Sequence, residues 1–270
     1  MPHAERTASV PPVSLPGLTD THCHLDLPEY DADRTEVLQR ARRAGVVRIL
    51  IAGIDVPGSR RAAQLARSDP MLRFAPGVHP NESGTFDDRT LAELRALARD
   101  EGAAAIGETG LDYFRNGAPR DRQQAAFRAQ LEAARELGLP VIVHIRDARD
   151  DALAILAEFR GQVRGVLHAF SGDPAIAEKA AGMGFYFGIA GPLTYRSAAG
   201  LRTAFRALLA DRILLETDAP FLPPEGNRGR RNEPALVSQV AIRAAEERGM
   251  RVPDFVNLAR QNAQRLFDWE

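Results

Sequence analysis

Asp20-Thr21-His22-Cys23-His24-Leu25-Asp26 is the stretch on which the reading of the chain turns. At the end of a β-strand, a period of two places Asp20, His22, His24 and Asp26 on one face and Cys23 and Leu25 on the other. Two imidazoles on one face can share a metal ion, although an isolated His-x-His also occurs as two ordinary strand-end histidines. The rest of the histidine inventory decides between these readings. There are six histidines, and His144 and His168 recur where predicted strands end, as do Glu108 and Asp218.

Outward from this stretch, apolar β-type runs alternate with helical patterns. Strands are predicted over 18–22, 46–52, 72–78, 104–108, 140–144, 163–168, 185–189 and 212–216. The intervening helices carry apolar residues at helical spacing: Leu91, Leu94 and Ala98; Phe127, Leu131 and Ala134; Leu153, Leu156 and Ala157; Leu201, Phe205, Leu208 and Leu209. Asp33 and Glu36 have capping-box spacing at the start of a helix over 33–44, and Pro119 introduces another. Val237, Val240, Ala241 and Ala244 mark a helix after the last strand, and a final helix over 253–267 is additional to the repeat. Eight strands alternating with helices predict an α/β fold, a (β/α)8 TIM barrel with an extra C-terminal helix. An open doubly wound sheet is the competitor, but no Gly-x-Gly-x-x-Gly follows an early strand.

A length of 270 residues suits one such barrel, which typically takes about 250. Hydrophobic residues at 44% and charged residues at 26% describe a globular chain. No apolar run approaches the roughly 18 residues that a membrane span needs. Residues 1–17 contain four prolines and no apolar signal-like core, so they are expected to be a loose tail before a single domain over 18–270; His3, within the tail, is assigned no role. The single cysteine, Cys23, rules out an intrachain disulfide and suits a reducing, cytoplasmic setting; its parity turns it away from the histidines, as expected of a structural thiol. Net charge is −1, so any attraction for phosphate must be local. The only lysine is Lys179.

In an α/β barrel the active site lies at the C-terminal ends of the strands. His22 and His24 fall there on strand one, Glu108 on four, His144 on five, His168 on six and Asp218 after eight. Singly, each has an ordinary structural explanation; together they form a ligand set. Six ligands with one central carboxylate suit two ions bridged by Glu108: His22, His24, Glu108 and Asp218 around one, and Glu108, His144 and His168 around the other. Two such ions activate a water and stabilise charge on a substrate oxygen, which is hydrolytic chemistry. Asp218, a carboxylate at the open end, is the candidate to orient that water and take its proton.

Five blocks, taken in order, resemble the TatD family of metal-dependent deoxyribonucleases. They are Asp20 to Asp26, Gly107-Glu108-Thr109-Gly110-Leu111-Asp112-Tyr113, Val143-His144-Ile145-Arg146-Asp147-Ala148, His168-Ala169-Phe170-Ser171-Gly172 and Glu216-Thr217-Asp218-Ala219-Pro220-Phe221-Leu222. The resemblance runs from about Leu18 to the C-terminus. It implies a barrel of the metallo-dependent hydrolase type with two divalent ions, cleaving DNA phosphodiesters, typically as an exonuclease from the 3′ end of a single strand. Magnesium supports activity in such enzymes and relatives often hold zinc. Four imidazoles favour zinc, manganese or iron over magnesium, so the ion is left open among Mg2+, Mn2+ and Zn2+. One departure lies after strand eight: relatives commonly carry a lysine before Arg-Asn-Glu-Pro, whereas this chain reads Arg228-Gly229-Arg230-Arg231-Asn232-Glu233-Pro234.

Substrate-side candidates follow from position. Arg146 shares parity with His144 and extends toward a phosphate; Arg231 does so from its loop. Arg228 and Arg230 read as a solvated turn. His79 is either a substrate contact or a turn histidine. Tyr113 is a candidate to stack a base, and aromatics at only 6% suit a short end-binding site better than a long groove. The expected partner is therefore DNA at single-stranded ends, with no membrane and, for want of any oligomerisation signal, a monomer. The alternative function is a small-molecule amidohydrolase or esterase on the same barrel. Many of those bridge their metals with a carboxylated lysine on strand four, a position where this chain has Glu108.

Overall fold

The computed structural model describes residues 10–115 and 117–269. Eight parallel strands alternate with helices: β1 Leu18–Cys23, α1 Arg34–Arg43, β2 Val46–Ala52, α2 Val56–Ser68, β3 Leu72–Ala75, α3 Asp88–Asp100, β4 Ile106–Asp112, α4 Arg120–Leu137, β5 Val141–Arg146, α5 Arg149–Glu158, β6 Gly165–Leu167, α6 Pro174–Ala181, β7 Phe185–Ile189, α7 Ala199–Ala207, β8 Ile213–Leu215 and α8 Val237–Arg248. The expected barrel is therefore present, and α9 Val252–Phe267 is the additional C-terminal helix. No helix among the described residues is long and apolar enough to cross a membrane.

The wall consists of two arcs, β1-β2-β3 and β4-β5-β6-β7-β8, each a continuous parallel ladder. Isolated backbone hydrogen bonds close the seams between them. At one seam Asp218 N–H donates to His22 O (2.9 Å) and His24 N–H to Ala219 O (2.7 Å). At the other, Gly107 N–H donates to Pro76 O (2.9 Å) and Glu108 N–H to Gly53 O (3.0 Å). Leu50, Ile142, Val166 and Leu214 are fully buried, as β-branched and leucine side chains on parallel strands should be.

Four local expectations change. Strand four runs to Asp112 rather than stopping at Glu108, carrying a second carboxylate to the rim. Strand three ends at Ala75, because Pro76 lacks the N–H that a further ladder bond needs. Leu209 faces solvent at 57% exposure, since α7 stops at Ala207 and the extended backbone at Leu208 turns the next side chain outward. Asp33 makes no capping bond at α1: Arg40 and Arg231 occupy its carboxylate.

The tail expectation falls partly outside the described residues, which begin at Val10, and His3 lies outside them. From Val10 to Pro16 the chain forms no helix or strand but is tied down by Val13 N–H to Ser238 Oγ (3.1 Å) and Leu15 N–H to Ala44 O (2.9 Å).

Candidate active site

Strand order brings all six sequence-selected ligands to one rim. β1 delivers His22 and, one residue beyond its end, His24; β4 delivers Glu108; β5 delivers His144; His168 and Asp218 follow β6 and β8. The two Glu108 oxygens divide these residues. Oε2 lies 3.4 Å from both His22 Nε2 and His24 Nε2, and Asp218 Oδ1 completes that group at 3.5 and 3.4 Å from the same two nitrogens. Oε1 lies 2.9 Å from both His144 Nδ1 and His168 Nε2. One carboxylate therefore serves two clusters.

The donor set fits divalent ions. Within the clusters, His22 Nε2 faces His24 Nε2 at 3.2 Å and His144 Nδ1 faces His168 Nε2 at 3.1 Å. Donors bound at roughly 2.0 Å in a tetrahedron stand roughly 3.3 Å apart, the spacing observed here. Ligand-type atoms within 4.8 Å of one another form the groups His22/His24/Asp218 and His22/Glu108/His168, with His79/Asp112/His144 as a third. The residues thus provide two candidate metal sites sharing Glu108, the arrangement of a two-metal hydrolase.

Protonation follows from this crowding. Burial opposes the charge on Glu108, but His168 and the hydrogen bond with His144 outweigh it and hold the carboxyl well below its usual range. Asp218 is likewise held low against burial, by the His24 hydrogen bond and the neighbouring imidazoles. Both acids are therefore anionic. Burial lowers His24, yet Asp218 and Glu108 raise it further, to about 9. The same acids that would hold a cation thus favour the protonated form of His24, His144 and His168, while burial lowers His22. Burial pushes His79 down to about 3, so it is neutral. Its Nδ1 accepts from Asn81 N–H (3.1 Å), which leaves the ring proton on Nε2, 3.7 Å from Glu108 Oε1. The turn reading of His79 holds, since it caps the turn over Pro80–Thr85; the residue also lines the cavity.

Behind the clusters stand groups that the sequence reading passed over. Asp112 Oδ2 lies 3.4 Å from His144 Nε2 and also accepts from Asn81 Nδ2 (3.1 Å). Glu216 Oε1 lies 3.5 Å from His168 Nδ1 and accepts from Ala169 N–H (2.5 Å). Gly188 makes room for it, because a side chain there would collide with the Glu216 carboxylate. His24 Nδ1 instead donates to the Ala52 carbonyl (2.9 Å). Asp20 is not a ligand: it accepts from Thr217 N–H (2.9 Å) and lies 2.6 Å from the Thr217 hydroxyl, and burial raises its carboxyl to about 8. Parity would have found Asp112, four residues beyond Glu108, had strand four been drawn to its full length. Cys23 points the other way, toward Leu50 O, and burial raises its thiol well above the ordinary range.

A cavity of about 620 Å³ opens over the ligands. Arg115 and Arg146 are the cations lining it among the described residues, and Phe221, Leu222 and Pro192 lie on the side of β8. Arg146 stacks its guanidinium 3.9 Å from the Phe114 ring centre. Arg231 is not brought to the cavity: it is paired with Asp33 (2.7 and 2.8 Å) over the Tyr30 ring. Tyr113 also lies outside the lining, its hydroxyl engaged by Asp151 (2.7 Å) and Gln124 (2.9 Å). Asp147, Ala169, Asp218 and Leu222 adopt left-handed backbone just past strand ends, strain of the kind that gathers at functional rims.

Fold and site together define a metal-dependent hydrolase on an amidohydrolase-like barrel. Residues 19–268 match the family model described as TatD related DNase, and the chain belongs to that family. It is 40% identical to the metal-dependent hydrolase YcfH of Escherichia coli K12, over 93% of this chain and 95% of that one. It is 39% identical to the 3′-5′ ssDNA/RNA exonuclease TatD of Cronobacter sakazakii, over 88% and 93%. Among solved structures, YjjV, a TatD homolog from Escherichia coli K12, superposes with a TM-score of 0.88 at 33% identity, covering 94% of this chain and 98% of that one.

Proposed function

We propose that the protein is a deoxyribonuclease that removes nucleotides from the 3′ end of single-stranded DNA by two-metal hydrolysis. The observation that carries this reading is Glu108, whose two oxygens each face a separate imidazole pair. Its mechanistic support is that a phosphodiester must be attacked and its leaving oxygen stabilised at one phosphorus, which two adjacent cationic positions suit. The sequence identity to relatives named as 3′-5′ ssDNA/RNA exonucleases favours that polarity.

His22, His24, Glu108 and Asp218 would hold one ion, and Glu108, His144 and His168 the other. Bound Mg2+, Mn2+ or Zn2+ would supply Lewis-acid charge and a water of lowered pKa. Asp218, kept anionic at the open edge, accepts the proton of the attacking water. Neutral His79 presents its Nε2–H to a phosphoryl oxygen, and Arg115 and Arg146 neutralise phosphate from the lip of the cavity. The working form is a cytoplasmic monomer, in which the buried lone Cys23 stays a thiol.

The test is digestion of end-labelled single-stranded oligonucleotides with added magnesium or manganese, beside a panel of lactones and phosphotriesters. Stepwise shortening from the 3′ end, abolished by chelation, by Glu108→Ala and by Asp218→Asn, is the expected result. Turnover of the small molecules alone would assign the barrel to the amidohydrolase alternative.

A further inference from the structure

Only two aromatic rings among the described residues are exposed, Phe114 at 58% and Phe221 at 45%. Phe221 lines the metal cavity, and Phe114 stands just outside the lining, its ring 3.9 Å from the guanidinium of Arg146, which does line it. Each is mounted on a turn anchored to the ligand strands. Asp112 Oδ1 accepts from the N–H groups of Phe114 and Arg115, both at 2.9 Å, while its other oxygen faces His144. Phe221 N–H donates to Asp218 O (2.8 Å), Asn232 holds its carbonyl at 2.7 Å, and its ring lies 6.0 Å from that of His24. β4 and β8 are four steps apart in a closed ring of eight strands, so the two phenylalanines flank the metal ligands from opposite sides.

Charge is distributed unevenly between those sides. Arg146 stacks on Phe114, and Arg115 shares the Asp112 anchor of that turn, whereas Phe221 is accompanied in the lining by Leu222 and Pro192. A strand cut at its 3′ end has further phosphates only on the retained side. Resting on the nuclease reading above, we infer that the cavity grips two nucleotides in one direction: the base of the 3′-terminal nucleotide stacks on Phe221, and the penultimate base stacks beside Phe114. Arg115 and Arg146 hold the phosphate upstream of the scissile one. An aromatic face takes any base, so the site is selective for an unpaired end and tolerant of sequence. A paired end is refused, because neither base can leave its stack to meet a ring.

The test uses 5′-labelled oligonucleotides carrying a single abasic position, either terminal or penultimate. Phe221→Ala and Phe114→Ala should each lower kcat/KM on a normal end by about tenfold, the scale of one lost base stack. Metal content per chain should stay constant. The Phe221→Ala loss should vanish when the terminal base is already missing, and the Phe114→Ala loss when the penultimate base is missing. Phe→Trp at each position should restore the rate, and Phe→Leu, which keeps the apolar bulk, should not. Arg146→Ala should weaken an oligonucleotide more than a dinucleoside monophosphate with a free 5′-hydroxyl, whose only phosphate is the scissile one. Losses that cancel with the opposite abasic position, or variants that match the parent on every substrate, overturn the inference and leave the nuclease reading intact. Parent protein that leaves oligonucleotides uncut overturns both.

Discussion

The two arcs of the barrel contribute differently to the same centre. The three-stranded arc supplies His22 and His24, of which His24 donates to the Ala52 carbonyl; His22 Nδ1, like His144 Nε2 and His168 Nδ1, is buried without a hydrogen-bond partner. The five-stranded arc supplies His144 and His168, each with a carboxylate behind it, and all the acidic ligands. Carboxylate backing raises the basicity of an imidazole and fixes its orientation. Ions held by both groups would join the arc that supplies His22 and His24 to the arc that supplies the acidic candidate ligands, and would couple metal binding to barrel closure at the seams.

The most severe way to break this coupling is Glu108→Ala, which removes the one group common to both clusters. Activity should fall by more than roughly 100-fold, the upper end of what loss of an outer partner alone produces, and bound metal should leave both sites. Full retention of one ion per chain by elemental analysis would mean that the clusters are independent. Chelation of the intact protein is next. If the ions bridge the seams, removal of each should lower Tm by roughly 5–10 °C, as expected for one ligand present at about 100 times its Kd on a domain of this size. Scanning calorimetry with and without chelator measures it. Asp112→Asn and Glu216→Gln sharpen the contrast between arcs: each should weaken metal binding about 10-fold or more while the fold persists, read by competition with a chromogenic chelator.

At the β1–β8 seam, Thr217→Val leaves the buried Asp20 without its hydroxyl partner and should cost about 1–3 kcal/mol in denaturant unfolding. The smallest effect belongs to Arg231→Ala. Its pair with Asp33 is about one-third exposed on both sides and is worth at most about 1 kcal/mol. The Arg231 hydrogen bonds hold the Asp33 carboxyl low, so that contribution is present above the ordinary carboxylate pKa and fades as pH falls through the lowered value. Arg231 sits away from the cavity, so KM should move less than it does for Arg146→Ala.

The barrel and the convergence of the six candidate ligands on one rim were legible because both depend on local signals. Strands over 46–52 and 185–189 are apolar runs with clear ends, and ligand residues sit at strand termini by parity. What escaped depends on partners distant in sequence. The continuation of β4 through Thr109-Gly110-Leu111-Asp112 lies beyond the predicted strand end at Glu108, because the positive φ of Gly110 and its close approach to the His144 backbone are features that no local pattern reports. Asp33 has a capping signature, yet Arg231, nearly two hundred residues later, takes its carboxylate. The choice between Tyr113 and Phe114 as the exposed ring is likewise tertiary, since Asp151 and Gln124 draw the tyrosine aside.

The missing side chain of Gly188 also bears on the site. The Glu216 carboxylate occupies the volume where a methyl group would stand, so Gly188→Ala would displace an anion from behind His168 without touching any ligand. A substitution of this kind at a buried strand glycine would look like a loss of metal affinity in solution, although the altered residue carries no donor atom at all.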